Sequence, residues 1–193
     1  MIAYILTFGR LVLAAAVAAM VAAVAGEPLS VWSALGLLVL VGAEEATDLL
    51  DGYFARRQGT VSMLGGLLDP FVDSLARLAI YFAMALAGWI HLVVPLAMTL
   101  RDLTVAYTRV ANSAVGAATS ARRSGKIKAI VQGGAMAAVI VLAWARASLS
   151  QGALAAGRWI IASAVLAVTL WSLVDYLVGA WPAIRDIARR RPA

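Results

Sequence analysis

Cysteine is absent from the 193-residue chain, and histidine occurs once, as His91. Without cysteine the protein can form no disulfide, no zinc–thiolate centre and no cysteine nucleophile. One histidine cannot build the cluster of histidine ligands that catalytic zinc sites use. A metal site in this chain would therefore have to be made from oxygen ligands.

Charge is also scarce, because Asp, Glu, Lys and Arg together make up 13% of the residues while 63% are hydrophobic. Soluble domains average about 25% charged and roughly 45–50% apolar residues. The composition excludes a water-soluble globular domain. It also excludes a disordered chain, which would combine low hydrophobicity with high charge. We therefore expect an integral membrane protein.

Six apolar segments, rich in Ala, Leu and Val, are long enough to cross a bilayer as helices. They cover residues 4–24, 31–56, 65–87, 92–115, 127–145 and 154–180. No repeat, long linker or second domain interrupts them. The fold class expected is thus all-α and integral to the membrane, with six transmembrane helices in a single domain over residues 1–193.

Basic residues are concentrated in alternate loops of this six-segment arrangement. The loops after the second and fourth segments and the C-terminal tail carry Lys or Arg, whereas the loops after the first and third carry none. The loop after the fifth segment is ambiguous, because Arg146 and Arg158 flank it. Positive loops face the cytoplasm, so both termini are expected there in a multi-pass protein of a bacterial inner membrane. The net charge of +6 is then typical of orientation and of contact with anionic membrane lipids, and we expect no nucleic acid as a partner.

Six of the ten acidic residues lie in one short region. They are Glu44, Glu45, Asp48, Asp51, Asp69 and Asp73. Residues 31–43 are uncharged and span about 20 Å of a hydrocarbon core roughly 30 Å thick, which puts the acids in its cytoplasmic third. Charges at that depth have to border a polar cavity, here one open to the cytoplasmic side.

The four aspartates have the spacing of a shared site. Asp48 and Asp51 are spaced i,i+3, and Asp69 and Asp73 are spaced i,i+4, so each pair shares a helix face. Because segments two and three run antiparallel, both pairs reach the same depth. Four converging carboxylates repel one another unless a hard cation neutralises them. With no competing Cys or His cluster, Mg²⁺ or Mn²⁺ is favoured over zinc.

Other interpretations of the same acids stay open. The carboxylates could pair with Arg56, Arg57 or Arg77, or they could form the proton path of a cation-coupled transporter. Glu44 and Glu45 could extend the polar cavity, or one of them could pair with an arginine.

The stretch from Asp48 to Asp73 resembles the motif D-x-x-D-G-x-x-A-R-(x)8-G-x-x-x-D-x-x-x-D of the CDP-alcohol phosphotransferases. All eight fixed positions agree over 26 residues. The resemblance implies an enzyme of phospholipid biosynthesis that transfers the phosphatidyl group of CDP-diacylglycerol to a small alcohol and releases CMP. It also implies a homodimer, and the six-segment layout agrees with that family.

The resemblance further implies roles for individual residues. Asp48, Asp51 and Asp69 would ligate the metals, with Asp48 and Asp69 bridging two ions. Asp73 would contact the second ion and act as the catalytic base. The donor nucleotide would be bound by Thr7, Gly52, Ala55, Arg56 and Ser62.

Three further elements are similar to those of the phosphatidylglycerophosphate synthases within that family. Thr7 and Arg10 resemble an N-x-x-T-x-x-R start, with Tyr4 at the Asn position. Residues 101–109 resemble R-E-(x)6-R with Asp for Glu, and residues 125–132 resemble G-K-x-K-T-x-x-Q with Ala for Thr. Glycerol 3-phosphate is thus the favoured acceptor, and inositol phosphate, inositol, serine or another alcohol stays open.

A phosphorylated acceptor needs cations near the cytoplasmic face. The candidates for binding its phosphate are Arg109, Arg122, Lys126 and Lys128, and Arg123 and Arg185 are further possibilities. Lys126 and Lys128 are spaced i,i+2, so only one of them can point inward if that part is helical. The alternative for each cation is a topological signal or contact with a lipid head group.

Overall fold

Helices make up the regular structure of the residues that the computed structural model describes, which are 2–58, 63–114 and 123–189. Side chains are described for residues 9–47, 70–110, 112, 123–182 and 185. The α-helices within those ranges are α1 (Ile2–Ala23), α2 (Val31–Gln58), α3 (Met63–Leu86), α4 (Val93–Ala114), α5 (Arg123–Ala145) and α6 (Gln151–Arg189), and a short 3₁₀-helix covers Arg146–Ser148. The predicted all-α class is confirmed.

Local sequence explains several of these boundaries. Ser30 precedes α2 and accepts a hydrogen bond at its Oγ from the Ser33 N–H (3.1 Å), and Ser150 does the same for Ala153 (3.2 Å) before α6. Such caps satisfy N–H groups that have no partner inside the helix. At the other end of α3, Gly88 adopts a positive φ of 72°, which lets the chain turn sharply towards α4.

The six helices pack in a closed ring within the described residues. In order around the ring, α1 packs on α2, α2 on α5, α5 on α6, α6 on α4, α4 on α3, and α3 on α1. Inside it lie apolar side chains from neighbouring helices, such as Val17, Leu37, Ile80 and Met136, all of them fully buried. The ring brings α2 and α5, which are distant in sequence, into contact.

The outward surface of the ring is largely apolar. Large hydrophobic side chains such as Val39, Ile130 and Ile160 are each 69% exposed or more. Two helical stretches among the described residues, Arg123–Ser148 and Gln151–Pro182, are long and apolar enough to cross a membrane, with mean hydropathies of 1.8 and 1.9. These features fit a membrane protein.

The sixth helix differs from the predicted segment. The apolar stretch was expected over residues 154–180, whereas α6 runs from Gln151 to Arg189. Hydropathy marks only the apolar part of a helix, and the residues of α6 beyond 180 include Ala and Arg, which have high helix propensity.

The contact between α5 and α6 predicts a steric effect on stability. A Cβ on Gly157 would lie 3.0 Å from Leu142 Cδ1, whereas a Cβ on Gly152 would meet no atom within 4 Å. We expect Gly157→Leu to lower the free energy of unfolding by about 1–3 kcal/mol relative to Gly152→Leu, because only the former overpacks the interface. Thermal unfolding of the purified variants in detergent measures this, and equal midpoints would contradict the α5–α6 packing.

Candidate active site

The four aspartates lie on two helices. Asp48 and Asp51 belong to the second half of α2, and Asp69 and Asp73 to the first half of α3. The side chain of Asp73 is described, while those of the other three lie outside the described residues. The described surroundings of the predicted metal site are therefore those of Asp73.

Asp73 is surrounded by charges from three helices. Arg77 Nη2 lies 3.2 Å from Asp73 Oδ1 and 3.2 Å from Glu45 Oε1, and Arg10 Nη1 lies 3.9 Å from the same Asp73 oxygen. Both guanidinium groups are 2% exposed, whereas the side chains of Asp73 and Glu45 are 25% and 28% exposed. We call Arg10, Glu45, Asp73 and Arg77 the Asp73 cluster.

The sequence and the helix packing account for this cluster together. Asp73 and Arg77 are spaced i,i+4 on α3 and so share a face. The planar guanidinium carries five N–H donors, which allows Arg77 to contact two carboxylates from different helices. Arg10 reaches the cluster from α1, which packs on both α2 and α3.

The two glutamates, whose roles were left open, differ in their environment. Glu45 forms the ion pair with Arg77, so one of the alternatives from the sequence is confirmed. Glu44 is fully buried, and neither of its carboxylate oxygens has a hydrogen-bond partner within the described part of the chain. Its main-chain carbonyl accepts a hydrogen bond of 2.6 Å from Thr47 Oγ1.

One carboxylate oxygen of Asp73 is enclosed by cationic side chains. Its Oδ1 is buried, and the approach of Arg77 is an ion pair without hydrogen-bond geometry, so this oxygen accepts no hydrogen bond from the described residues. Carboxylate oxygens are the ligands that Mg²⁺ and Mn²⁺ prefer. The described residues contain no group of three acidic or histidine side chains that could hold a metal, and the side chains of the three other predicted ligands lie outside the described part.

The side chains of the five predicted nucleotide-binding residues lie outside the described part as well. Ser62 is outside it altogether, and Thr7, Gly52, Ala55 and Arg56 are described only as positions on α1 or α2. Arg122, a candidate for the acceptor phosphate, is also outside it. Their assignments stay predictions. Of the candidates for the acceptor phosphate, Arg109, Lys126 and Lys128 are described in full.

The prediction that only one of Lys126 and Lys128 points inward is confirmed. Lys126 is exposed near the start of α5, whereas Lys128 is 6% exposed. Lys128 Nζ lies 3.1 Å from Asp102 Oδ1, which also accepts a 2.8 Å hydrogen bond from Arg101 Nη1. Arg101 Nη2 in turn donates to Ser172 Oγ at 2.6 Å.

These four residues (Arg101, Asp102, Lys128 and Ser172) form the Asp102 cluster, which joins α4, α5 and α6. Sequence reasoning did not find the Lys128–Asp102 pair, because residues 26 positions apart on different helices carry no local signal of contact.

The remaining acceptor candidate, Arg109, lies against α6. Its Nε donates to the Tyr176 hydroxyl at 2.6 Å, and the guanidinium carbon is 5.4 Å from the centroid of that ring. A nearby hydrogen bond of 2.5 Å joins Ser124 Oγ to Asp175 Oδ2. An open cleft of about 400 Å³ adjoins this pair and is lined by Arg123, Ser124, Ile127, Trp171 and Asp175.

A hydrogen bond across the bundle relates the two clusters. Tyr81 lies one turn after Arg77 on α3, and Gln132 lies one turn after Lys128 on α5. The Tyr81 hydroxyl donates to the main-chain carbonyl of Gln132 at 2.7 Å, and both residues are fully buried. The Asp73 and Asp102 clusters therefore lie at a similar level of the bundle.

Comparison with known proteins identifies a family that this chain matches. The model of the CDP-alcohol phosphatidyltransferase family matches residues 1–179. The chain is 27% identical over 175 residues to the CDP-diacylglycerol–glycerol-3-phosphate 3-phosphatidyltransferase of Treponema pallidum (strain Nichols), covering 88% of this chain and 79% of that enzyme. It is 27% identical to the enzyme of the same name from Pseudomonas fluorescens, covering 82% of each chain.

A third relative has a different name. The archaetidylinositol phosphate synthase of Pyrococcus horikoshii is 36% identical over 86 residues, which is 45% of each chain.

The different burial of the two lysines predicts different effects on stability. We expect Lys128→Met to lower the free energy of unfolding by about 1–3 kcal/mol, because Asp102 loses one of its two cationic partners in a buried site. Lys126→Met is the matched control and should unfold like the wild type. Asp102→Asn, added to Lys128→Met, should recover part of the loss. Thermal unfolding in detergent measures these differences. A Lys128→Met variant with the same unfolding midpoint as the wild type would contradict the Lys128–Asp102 ion pair.

Proposed function

Because this chain belongs to the CDP-alcohol phosphatidyltransferase family, we propose that it transfers the phosphatidyl group of CDP-diacylglycerol to glycerol 3-phosphate, giving phosphatidylglycerophosphate and CMP. The observation that carries this choice of acceptor is the similarity, over most of the chain, to bacterial enzymes named for that reaction. Membership of an enzyme family also favours this function over the transporter that the acidic region left open.

The donor would bind where α2 and α3 carry the aspartates. Mg²⁺ or Mn²⁺, as two ions held by Asp48, Asp51, Asp69 and Asp73, would neutralise charge on the donor pyrophosphate and on the departing CMP. The nucleotide part would be held by Thr7, Gly52, Ala55, Arg56 and Ser62. This placement is supported by the motif and by the position of its aspartates on α2 and α3.

Asp73 would act as the base. Its carboxylate takes the proton from the acceptor hydroxyl, whose oxygen forms a bond to the phosphorus of the phosphatidyl group while the bond from that phosphorus to CMP breaks. Asp73 is one-quarter exposed, so a soluble alcohol can approach it, whereas the neighbouring Arg10 and Arg77 are buried. These exposures support Asp73, rather than the arginines, as the group that meets the substrate.

The acceptor phosphate would be bound by Arg109, Arg122, Lys126 and Lys128. Lys126 is exposed and can meet a soluble anion directly. Lys128 is buried and would act through its charge, because Lys128 and Arg101 together outweigh the single charge of Asp102 and leave the Asp102 cluster positive and attractive to a phosphate. Arg109, oriented by Tyr176, offers a planar group of donors suited to phosphate oxygens.

In the membrane, we propose six spans in one domain over residues 1–193, with both termini and the active site on the cytoplasmic side of a bacterial inner membrane. The acyl chains of the donor would then stay in the lipid while the alcohol enters from the cytoplasm. A homodimer is part of this proposal, on the basis of the family resemblance. The apolar outer surface and the two long apolar helices support the membrane location.

The alternative candidate for the acceptor is inositol phosphate, which is favoured by the similarity to an archaetidylinositol phosphate synthase. Both acceptors carry a phosphate, so the same cations would serve either. They differ in the alcohol that is presented to Asp73.

The acceptor is identified by the release of CMP. With CDP-diacylglycerol and Mg²⁺ or Mn²⁺, the purified protein should release CMP most rapidly with glycerol 3-phosphate, compared in parallel with inositol phosphate, inositol and serine. If CMP release were fastest with inositol phosphate, inositol phosphate would be the acceptor instead of glycerol 3-phosphate. Failure with all four would overturn the proposed function.

The role of Asp73 predicts a loss in turnover. Asp73→Asn should lower kcat by about 10²–10⁴-fold, because a positioned general base contributes that much to the rate. The KM for CDP-diacylglycerol should change far less. Glu27→Gln, the same carboxylate-to-amide change in the exposed loop before α2, is the control and should leave kcat unchanged. A near-normal kcat in Asp73→Asn would show that another group is the base.

A further inference from the structure

Glu45 occupies a space that exists because residue 133 of α5 is glycine. A Cβ on Gly133 would lie 2.7 Å from both Cδ and Oε1 of Glu45 and 3.0 Å from its Oε2. Carbon atoms do not approach so closely, so a side chain at this position would displace the carboxylate. The next residue, Gly134, would place its Cβ more than 4 Å from any neighbouring atom.

The carboxylate seated against Gly133 holds Arg77. Arg77 Nη2 donates to Glu45 Oε1 and Oε2 at 3.2 and 3.4 Å. The same nitrogen lies 3.2 Å from Asp73 Oδ1. Arg77 is thus held between a carboxylate of α2 and a carboxylate of α3, with α5 fixing the position of the first.

Arg77 is poorly placed to meet a substrate itself. It is 2% exposed, whereas Asp73 is 25% exposed. Its contact is with one specific oxygen of Asp73, so it restricts how that carboxylate can rotate. A buried guanidinium, held by a second carboxylate, beside a partly exposed carboxylate is an arrangement that favours one orientation of the latter.

We propose that Arg77 is a positioning residue for Asp73, and that Glu45, seated in the space left by Gly133, fixes Arg77 in turn. This inference rests on the proposed function, because it takes Asp73 as base and metal ligand. A misplacement of about 1 Å at a reacting group can lower the rate by roughly 10²-fold, so the orientation of Asp73 is a property worth controlling.

The sharpest test changes no charge. Gly133→Ala should push the Glu45 carboxylate away from Arg77, while Gly134→Ala, the same change one residue later, should disturb nothing. We expect Gly133→Ala to lower kcat by about tenfold or more with little change in the KM for CDP-diacylglycerol, and Gly134→Ala to match the wild type. Steady-state CMP release measures both.

A second readout does not depend on turnover. Asp73 is a proposed metal ligand, so its misorientation should weaken the binding of Mn²⁺ to the metal-free protein, measured by electron paramagnetic resonance of the free ion. We expect a several-fold weaker affinity in Gly133→Ala and an unchanged affinity in Gly134→Ala. Equal affinities in the two variants would overturn the inference.

A double-mutant cycle distinguishes positioning from general damage to the fold. Glu45→Ala removes the group that the new methyl would strike, so Gly133→Ala should have no additional effect on kcat once Glu45 is truncated. Independent damage would instead multiply the two losses. Multiplied losses, or a Gly133→Ala variant that loses thermal stability with normal kcat, would overturn the inference.

Two substitutions of Arg77, one that keeps its positive charge and one that removes it, test its role directly. Lysine keeps the charge but lacks the planar group of donors, so kcat should fall in the order wild type, Arg77→Lys, Arg77→Gln. Should the Arg77 variants fail to fold, the glycine pair still decides, because it leaves every charge in place. Wild-type protein that releases no CMP with any acceptor would overturn the proposed function, and the comparison of Mn²⁺ affinities would then decide this inference by itself.

Discussion

A guanidinium buried between two carboxylates connects the second and third helices of this protein. Arg77 joins Asp73 on α3 to Glu45 on α2, and Arg10 of α1 adds a second positive charge next to the same aspartate. Removing one partner of a buried ion pair typically costs about 3–5 kcal/mol, because the remaining charge is left without compensation. The relative positions of the first three helices are therefore tied to the balance of charge around Asp73.

The Asp102 cluster likewise joins three helices through charged groups, on the other side of the bundle. Asp102 lies between Arg101 and Lys128, and Arg101 continues to Ser172, so α4, α5 and α6 are joined by charged groups rather than by apolar packing alone. The Tyr81–Gln132 hydrogen bond connects this half to the first. Each half of the apolar bundle thus contains one cluster of charged side chains.

Much of the fold could be predicted from the sequence. Length and composition identified the helices. The eight fixed positions of the motif from Asp48 to Asp73 identified the family to which the chain belongs. The periodicity of a helix was also enough to predict that Lys126 and Lys128 would face different ways. The convergence of all four aspartates on metal ions stays a prediction. The Asp73 cluster could not be assembled from sequence, since Arg10, Glu45 and Arg77 lie far apart along the chain and each had several possible partners.

By itself, the sequence determined what depends on neighbours along the chain: the apolar helices, the aspartate motif and the helix faces on which charged residues lie. Only the tertiary structure decided which charges meet. Glu45 rather than Glu44 pairs with Arg77, Lys128 pairs with Asp102, and Gly133 makes room for a carboxylate from another helix. The physical reason is that the rotation of each helix about its axis is set by packing against its two neighbours in the ring, and no local pattern of residues specifies that rotation.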